Sequence, residues 1–235
     1  MAGILFTSIG WGNFGLDLDE SAEEVLKRRR SLEKSIATKS LVFMRQSHSN
    51  DVQIVTSSDH IGSGSQMTPV SADAIVSAEK NLSLAVLVGD CVPVLIHSKS
   101  AVAAIHVGRI GMTNGIIAKT LEALRSLESL ESPVSPEPAS AEKYEAILGP
   151  SICAKCYEVS LEMYQQVTQS FPQSATSEEL HCLDLQSAIT HQLVSEGVTV
   201  QNLGICTKES ANHFSHRRSQ MNGEAQGRQV GVVTL

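Results

Sequence analysis

The 235-residue chain lacks any apolar run of the ~18 residues that a membrane-spanning helix needs, and its opening MAGILFTSIGWG has no cationic segment leading into a long apolar one. No membrane partner and a cytoplasmic location are therefore expected. Positive charge is also short: 18 Lys and Arg against 25 Asp and Glu leave a net charge of -7. Phosphate backbones are met by clustered cations, so nucleic acid is excluded as an expected partner. The one basic run, Lys27-Arg28-Arg29-Arg30, stands beside Glu23 and Glu24 in a predicted helix and reads as a solvated face. Cysteine is scarce and odd in number, five scattered residues, which makes no disulfide framework and leaves free thiols, ligands or nucleophiles.

What is present is apolar sequence in short pieces, 42% of residues in all, enough for a sizeable core. Runs near 2–7, 41–45, 51–56, 73–77, 83–88, 92–97, 101–107, 144–148, 198–205 and 229–234 are rich in Val, Ile and Leu and bounded by turn residues, so they predict strands. Helical spacing appears over 20–37, 113–127, 160–170 and 184–196. Ile116, Ile117, Leu121, Leu124 and Leu127 share one face, as do Leu185, Ile189, Leu193 and Val194, with Ser160 and Asp184 as N-caps. Several strands in a row followed by interleaved helices predict an α+β or mixed α/β fold: a mixed sheet core covered by helices, in a single domain over 1–235. Segment 128–142, rich in Pro, Ser and Glu, is expected to be a flexible surface loop. No exposed heptad or long apolar stripe asks for a second copy, so a monomer is expected.

Three residues interrupt the most strand-like sequence or its turns. Cys91 follows Asp90 inside the apolar stretch 86–97; a lone thiol there is commonly a small buried hydrophobe. A charge beside it and Pro93 just beyond argue for a strand that breaks at a cleft. His106 closes the next apolar run, and a hairpin through residues 97–100 would bring it toward Cys91. His48 sits in the polar turn 46–52, where a solvent-exposed loop histidine is the plain alternative. Together, His48, Cys91 and His106 are a donor set that suits Zn(II), with a fourth position for water or substrate. Asp90 is then the candidate proton acceptor or orienting carboxylate. Cys153 and Cys156 form C-A-K-C, half of a structural zinc site or a redox dithiol; a second pair is missing, because Cys182 and Cys206 are isolated in sequence. His213-Phe214-Ser215-His216-Arg217-Arg218 is either an anion-binding loop or a surface turn.

These segments also resemble a known family. QSHSNDV is similar to its Q-x-H-G-x-x-V turn, ADAIVSAEKNLSLAVLVGDCVPVLI to its A-D-A segment leading to A-D-C-x-P, AAIHVGRIG to its H-A-G-W-R-G, and AILGPSICAKCYEV to its G-P-S-I…C-Y-E-V. LDL at 183–185, HFSHRR at 213–218 and GR at 227–228 continue the match in order over most of the chain. The family is the laccase-domain or polyphenol-oxidase-like one, also called YfiH-like or purine nucleoside phosphorylase-like. The resemblance implies a mixed α/β sandwich and a zinc-capable site made by His48, Cys91 and His106. It also implies phosphorolysis of purine nucleosides or deamination of adenosine, with a purine nucleoside and phosphate as small-molecule partners. Alternatives are editing of peptidoglycan precursors by an amidase-type hydrolase, and a divergent member that binds ligand with little catalysis.

Two of the family's arginines are absent. Arg109-Ile110 stands where it has Trp-Arg, and Ser8-Ile9-Gly10-Trp11-Gly12-Asn13 where it has R-x-G-G-V-S; Ser49 and Gly89 replace a glycine and an alanine. Arg109, Arg217 and Arg218 are the cations available to hold substrate instead. A true multicopper laccase is not expected: such enzymes need about ten histidines, mostly in His-x-His pairs, and the chain has 8 with no such pair. Zn(II) is the expected cofactor, with Cu(II) as an adventitious or alternative metal.

Overall fold

The structure is a computed structural model that describes residues 2–16, 18–36, 38–57, 69–131, 144–176 and 178–235. In chain order these form β1 (Gly3–Phe6), α1 (Ala22–Ser35), β2 (Ser40–Arg45), β3 (Val52–Ile54), β4 (Val70–Ser71), β5 (Ala74–Ser77), β6 (Leu82–Val88), β7 (Val92–His97) and β8 (Val102–Val107). They continue with α2 (Arg109–Thr113), α3 (Ile116–Glu131), β9 (Glu145–Leu148), α4 (Leu161–Ser170), α5 (Leu185–Ser195), β10 (Thr199–Asn202), α6 (His216–Asn222) and β11 (Gln229–Thr234). One sheet has the order β1-β11-β6-β2-β4 and the other β10-β9-β7-β8-β5-β3. Both are mixed: β6 pairs antiparallel with β11 but parallel with β2, and β9 pairs antiparallel with β7 but parallel with β10.

Alternation along the strands explains the layers. Leu82, Leu84, Val86 and Val88 of β6 join Ile75, Leu95, Val102 and Ala104 of the other sheet in one buried cluster, so the sheets pack face to face. The opposite face of the six-stranded sheet, including Val94, Ile96, Ala103 and Ile105, is covered by Ile116, Ile117, Leu121 and Leu124 of α3 and by residues of α4 and α5. The opposite face of the five-stranded sheet, with Leu41, Phe43, Ala85 and Val232, meets Leu32 of α1 and Phe14. The result is four layers, helix, sheet, sheet, helices, as the α+β reading anticipated. The side chains of Ser160 and Asp184 accept the N–H groups of Met163 and Ser187 and so cap α4 and α5. Among the described residues no helix is long and apolar enough to cross a membrane.

Three expectations need correction. Residues 128–131 belong to α3 and not to a loop; the buried Glu128 carboxylate accepts the hydroxyls of Ser98 (2.5 Å), Ser100 (2.8 Å) and Tyr144 (2.6 Å), which holds the last turn in place. The rest of the expected loop, 132–142, lies outside the described residues. The run 27–30 is not one solvated face: Arg29 is 6% exposed, donates through Nε and Nη2 to the Phe14 carbonyl, and stacks 3.9 Å above the Phe43 ring. Arg28 pairs with Glu20 at 2.6 Å. Finally, Val194 is exposed and stands outside the buried face of α5.

The break anticipated near Pro93 falls at 89–91. Here the chain leaves one sheet and enters the other, so Asp90 and Cys91 stand where the two layers part. Pro93 itself is paired with His106 inside the β7–β8 ladder.

Candidate active site and metal centre

Three connections bring the two imidazoles and the thiol together. The β6–β7 crossover delivers Cys91. The antiparallel register of β7 with β8, Val92 opposite Val107, sets His106 at the same end of the sheet. The turn between β2 and β3 delivers His48 with φ of 61°, a left-handed conformation that costs about 1–3 kcal/mol unless the surroundings impose it. His48 Nε2 lies 3.6 Å from Cys91 Sγ, and the His48 and His106 rings meet edge to face with centroids 4.7 Å apart. One donor atom from each residue lies within 4.8 Å of the other two. Gly108 makes this approach possible: a Cβ there would stand 2.9 Å from His48 Cδ2 and 3.2 Å from Cys91 Sγ.

What imposes the His48 conformation is Asp73, which is fully buried at the start of β5. Its carboxylate accepts the backbone N–H groups of Ser47 (3.0 Å), His48 (3.0 Å) and Ser49 (2.8 Å) and the Ser49 hydroxyl (2.9 Å). It also takes a 2.7 Å hydrogen bond from His106 Nδ1. An ionised carboxylate only accepts, so Nδ1 carries the proton and Nε2 of the 4%-exposed His106 is left with its lone pair for a metal or a proton. An unpaired buried carboxylate would cost several kcal/mol, and this set of donors removes that penalty.

The electrostatics follow from these contacts. Burial opposes the charge on Asp73, but the His106 bond and the N–H groups of Ser47 and Ser49 prevail and hold its pKa well below the usual carboxylate range. Burial likewise opposes a Cys91 thiolate, yet the charge of His106 and hydrogen bonds from both imidazoles bring the thiol down to about 6. For His106 burial disfavours the cation, and the neighbouring Cys91 and Asp73 outweigh it, raising the pKa. The metal-free site is therefore a thiolate–imidazolium pair at neutral pH.

The cluster lies in a cleft of about 590 Å³ whose walls include Leu87, Ile152, Tyr157, Arg217 and Arg228. Asp90 is on this wall, but its carboxylate is held by the Thr207 hydroxyl (2.6 Å) and the Arg217 N–H (2.6 Å), so Asp73, not Asp90, orients the histidine. Arg217 lines the cleft, donates to the Glu158 carbonyl at 3.0 Å and lies 5.6 Å from the Tyr157 ring centroid. Arg109 is not part of the lining; it begins α2 and acts on the Tyr157 phenol, whose pKa is raised chiefly by burial and opposed by Arg109. Ile110, where the family has arginine, is exposed. Arg218 is the correction in this set: its guanidinium donates to the carbonyls of Thr207, Lys208, Ser210 and His213 and to Glu224, which consumes it as a brace for that loop.

Sequence reasoning missed the roles of Asp73 and Arg228. Arg228 Nη1 donates to the Gly227 carbonyl at 2.8 Å and lies beside Gly89, where a Cβ would stand 3.0 Å from it. Burial lowers its pKa, and the charges of Cys91 and Asp90 oppose that shift. Both signals were in the chain, A-D-A and G-R, and the rule applied to Asp90, that a charge in an apolar run demands a partner, applies equally to Asp73.

The sequence model of a family described as multi-copper polyphenol oxidoreductase laccase matches residues 5–235. The chain belongs to this family. Among its relatives is a purine nucleoside phosphorylase of Corynebacterium glutamicum, 33% identical over 95% of this chain and 86% of its own length. Another, a purine nucleoside phosphorylase of Streptomyces griseus, is 35% identical over 80% of this chain and 72% of its own. Bacillus licheniformis YfiH shares the fold over 100% of this chain and 92% of its own, with a TM-score of 0.80 at 22% identity. YlmD of Geobacillus stearothermophilus does so over 100% and 91%, at 0.78 and 24%. This member of the family brings two imidazoles and one thiol together at its cleft, a donor set that fits a single metal ion.

Proposed function

We propose that the protein is a purine nucleoside phosphorylase whose reactive centre is His48, Cys91 and His106 with Zn(II). The observation that carries this reading is the meeting of those three donors, oriented by Asp73, on the floor of a cleft that has Arg228 on its wall. The names of the relatives support the reaction class. The three donors stand on a substrate-sized cleft, where Zn(II) would be held by His48, Cys91 and His106 and would have the substrate access that Lewis acidity needs.

When bound, Zn(II) supplies Lewis acidity at the floor of the cleft. The chain's own residues do the rest. Arg228 holds phosphate by charge, and Arg217 and Tyr157 shape the wall against which the nucleoside lies. An oxygen of hydrogen phosphate attacks C1′ of the ribose as the C1′–N9 bond breaks; the bond electrons leave with the purine, which takes up the proton that the phosphate gives up, and ribose 1-phosphate is the second product. Asp73 keeps His106 in one tautomer and one orientation throughout, and it fixes the turn that carries His48. Asp90 serves as a positioning residue, tying the crossover at 89–91 to Thr207 and to the start of α6.

A second reading has one specific observation in its favour. Cys91, His106 and Asp73 form a thiol, imidazole and carboxylate in series, and the thiol pKa of about 6 suits a nucleophile. On that reading the Cys91 thiolate attacks an amide carbonyl, the C–N bond breaks as the amine leaves with the proton held by His106, and water then cleaves the thioester to release the acid and the thiol, as in an editing hydrolase acting on peptidoglycan precursors.

The deciding experiment incubates zinc-loaded protein with adenosine or inosine, with and without phosphate, and identifies the products. Free purine and ribose 1-phosphate formed only with phosphate support phosphorolysis. Ammonia release without base release would replace it with deamination. Turnover of UDP-linked muropeptides alone would favour the hydrolase. Ligand-raised melting temperature with no turnover on any substrate would make the chain a binding protein. Metal analysis of the protein as purified, before any loading, decides between zinc and copper.

A further inference from the structure

The C-A-K-C motif is not half of anything once the chain is folded. Cys206 is distant in sequence, but Ser151 forms a parallel bridge with it: the Ser151 N–H donates to the Ile205 carbonyl at 3.1 Å and the Thr207 N–H to the Ser151 carbonyl at 3.0 Å. Two turns of the same spacing thereby face each other. In one, the Tyr157 N–H reaches back four residues to the Cys153 carbonyl at 3.1 Å; in the other, the Ser210 N–H reaches back four to the Cys206 carbonyl at 3.0 Å, and the residue three beyond each first cysteine is Cys156 or Glu209. The sequence pattern is C-x-x-C facing C-x-x-E.

The three sulfurs and a Glu209 carboxylate oxygen lie within 4.8 Å of one another. A tetrahedron with Zn–S bonds of about 2.3 Å has edges of about 3.8 Å, so small side-chain adjustments would seat an ion among them. Cys156 Sγ is 3.5 Å from the Glu209 carboxylate, and the Cys153 N–H points at Cys206 Sγ across 3.4 Å, a donor that stabilises a ligating thiolate. Packing alone accounts for buried thiols beside Ile152, but it gives no reason for a carboxylate to turn toward them.

We infer that Cys153, Cys156, Cys206 and Glu209 form a second, structural Zn(II) site separate from the His48–Cys91–His106 centre. Four protein donors leave no open position, so this ion would do no chemistry on substrate. It would lock residues 152–157, which bring Ile152 and Tyr157 to the cleft, onto the 205–209 turn, whose Thr207 holds Asp90. Each ligand would bind as a thiolate or carboxylate, releasing three protons to solvent as zinc enters.

The test uses the full chain purified under reducing conditions and loaded with Zn(II). Native mass spectrometry should find two zinc ions per chain in the unaltered protein and one in the double variant His48→Ala, Cys91→Ala, in which the first centre is dismantled. Cobalt loaded into that double variant should give thiolate-to-metal charge-transfer absorption, since Cys91 is gone and the remaining sulfur ligands are those proposed here. Because Glu209 is exposed, its variants should fold: Glu209→Cys should slow zinc release to a chelator by at least about tenfold and Glu209→Ala should speed it comparably. A double variant that holds no metal, or release rates indifferent to residue 209, overturns the site. So does a disulfide among Cys153, Cys156 and Cys206, read as a loss of two hydrogens by mass.

Discussion

His106 Nδ1 and Asp73 Oδ1 are 2.7 Å apart, and the carboxylate that takes this hydrogen bond also takes the N–H groups of Ser47, His48 and Ser49. One buried side chain therefore sets the tautomer of one histidine and the backbone strain of the other. The consequences for stability, metal affinity and turnover are coupled through it.

Asp73→Asn keeps the shape and inverts part of the hydrogen bonding, since an amide nitrogen would face N–H donors. The variant should lose about 1–3 kcal/mol of stability in urea unfolding. Zinc affinity and nucleoside turnover should each fall by about 10–100-fold. Unchanged affinity with lowered stability would reduce Asp73 to a fold residue.

The acid dependence of stability has a definite sign. Asp73 has a folded pKa below its unfolded value of about 3.9, so the stabilisation it gives is fully present above that value and is lost as pH falls through it toward the folded pKa. Melting temperature of the native protein should thus drop between about pH 5 and pH 2 more steeply than that of Asp73→Asn. Parallel curves for the two proteins would contradict the assignment.

Cys91 titrates at about 6 in the metal-free protein, so its thiolate persists down to that pH and disappears below it. Alkylation by iodoacetamide should show a midpoint near there, against about 8.5 for an ordinary cysteine. Zinc should protect the residue, and Asp73→Asn should move the midpoint upward by weakening the cationic form of His106. A midpoint near 8.5 in native metal-free protein would remove the ion pair.

Gly108 has φ of -84°, open to any residue, so Ala there meets no backbone objection. Its Cβ would press on His48 and Cys91. Gly108→Ala should fold with a stability loss of about 1–3 kcal/mol and lose most of its zinc binding at the cleft. Retention of zinc and activity would mean that the cluster is looser than its distances imply.

The two C-terminal arginines should separate cleanly. Arg228→Ala should raise KM for phosphate by about tenfold or more while zinc content stays constant. Arg218→Ala removes a brace bonded to four carbonyls and should cost about 2–4 kcal/mol of stability, with KM for phosphate unmoved. An exchanged pattern would return Arg218 to the substrate.

Much of the fold could be read from the chain because its signals are local. Short runs of Val, Ile and Leu such as 82–88 and the apolar face Ile116, Ile117, Leu121 and Leu124 specify strand and helix through neighbouring residues. Even so, the helix expected over 113–127 begins only at Ile116, because Gly115, with φ of 79°, separates it from the short α2, and it runs on to Glu131; the capped helix at 216–222 went unnoticed behind its polar sequence. Cys91 and His106 were legible as chemistry because each interrupts an apolar run, whereas His48, in a polar turn, gained meaning only in combination with them.

What the sequence by itself determined was the set of elements and the donors most out of place among them. Tertiary structure alone decided that consecutive strands β6 and β7 lie in different sheets, which opens the cleft at Cys91. It also chose Asp73 over Asp90 as the partner of His106, turned Arg218 away from the cleft, and set Cys206 beside Cys153. These outcomes depend on pairings between residues far apart in the chain. Which distant donor satisfies a buried charge or thiol is a matter of three-dimensional packing, and no local pattern encodes it.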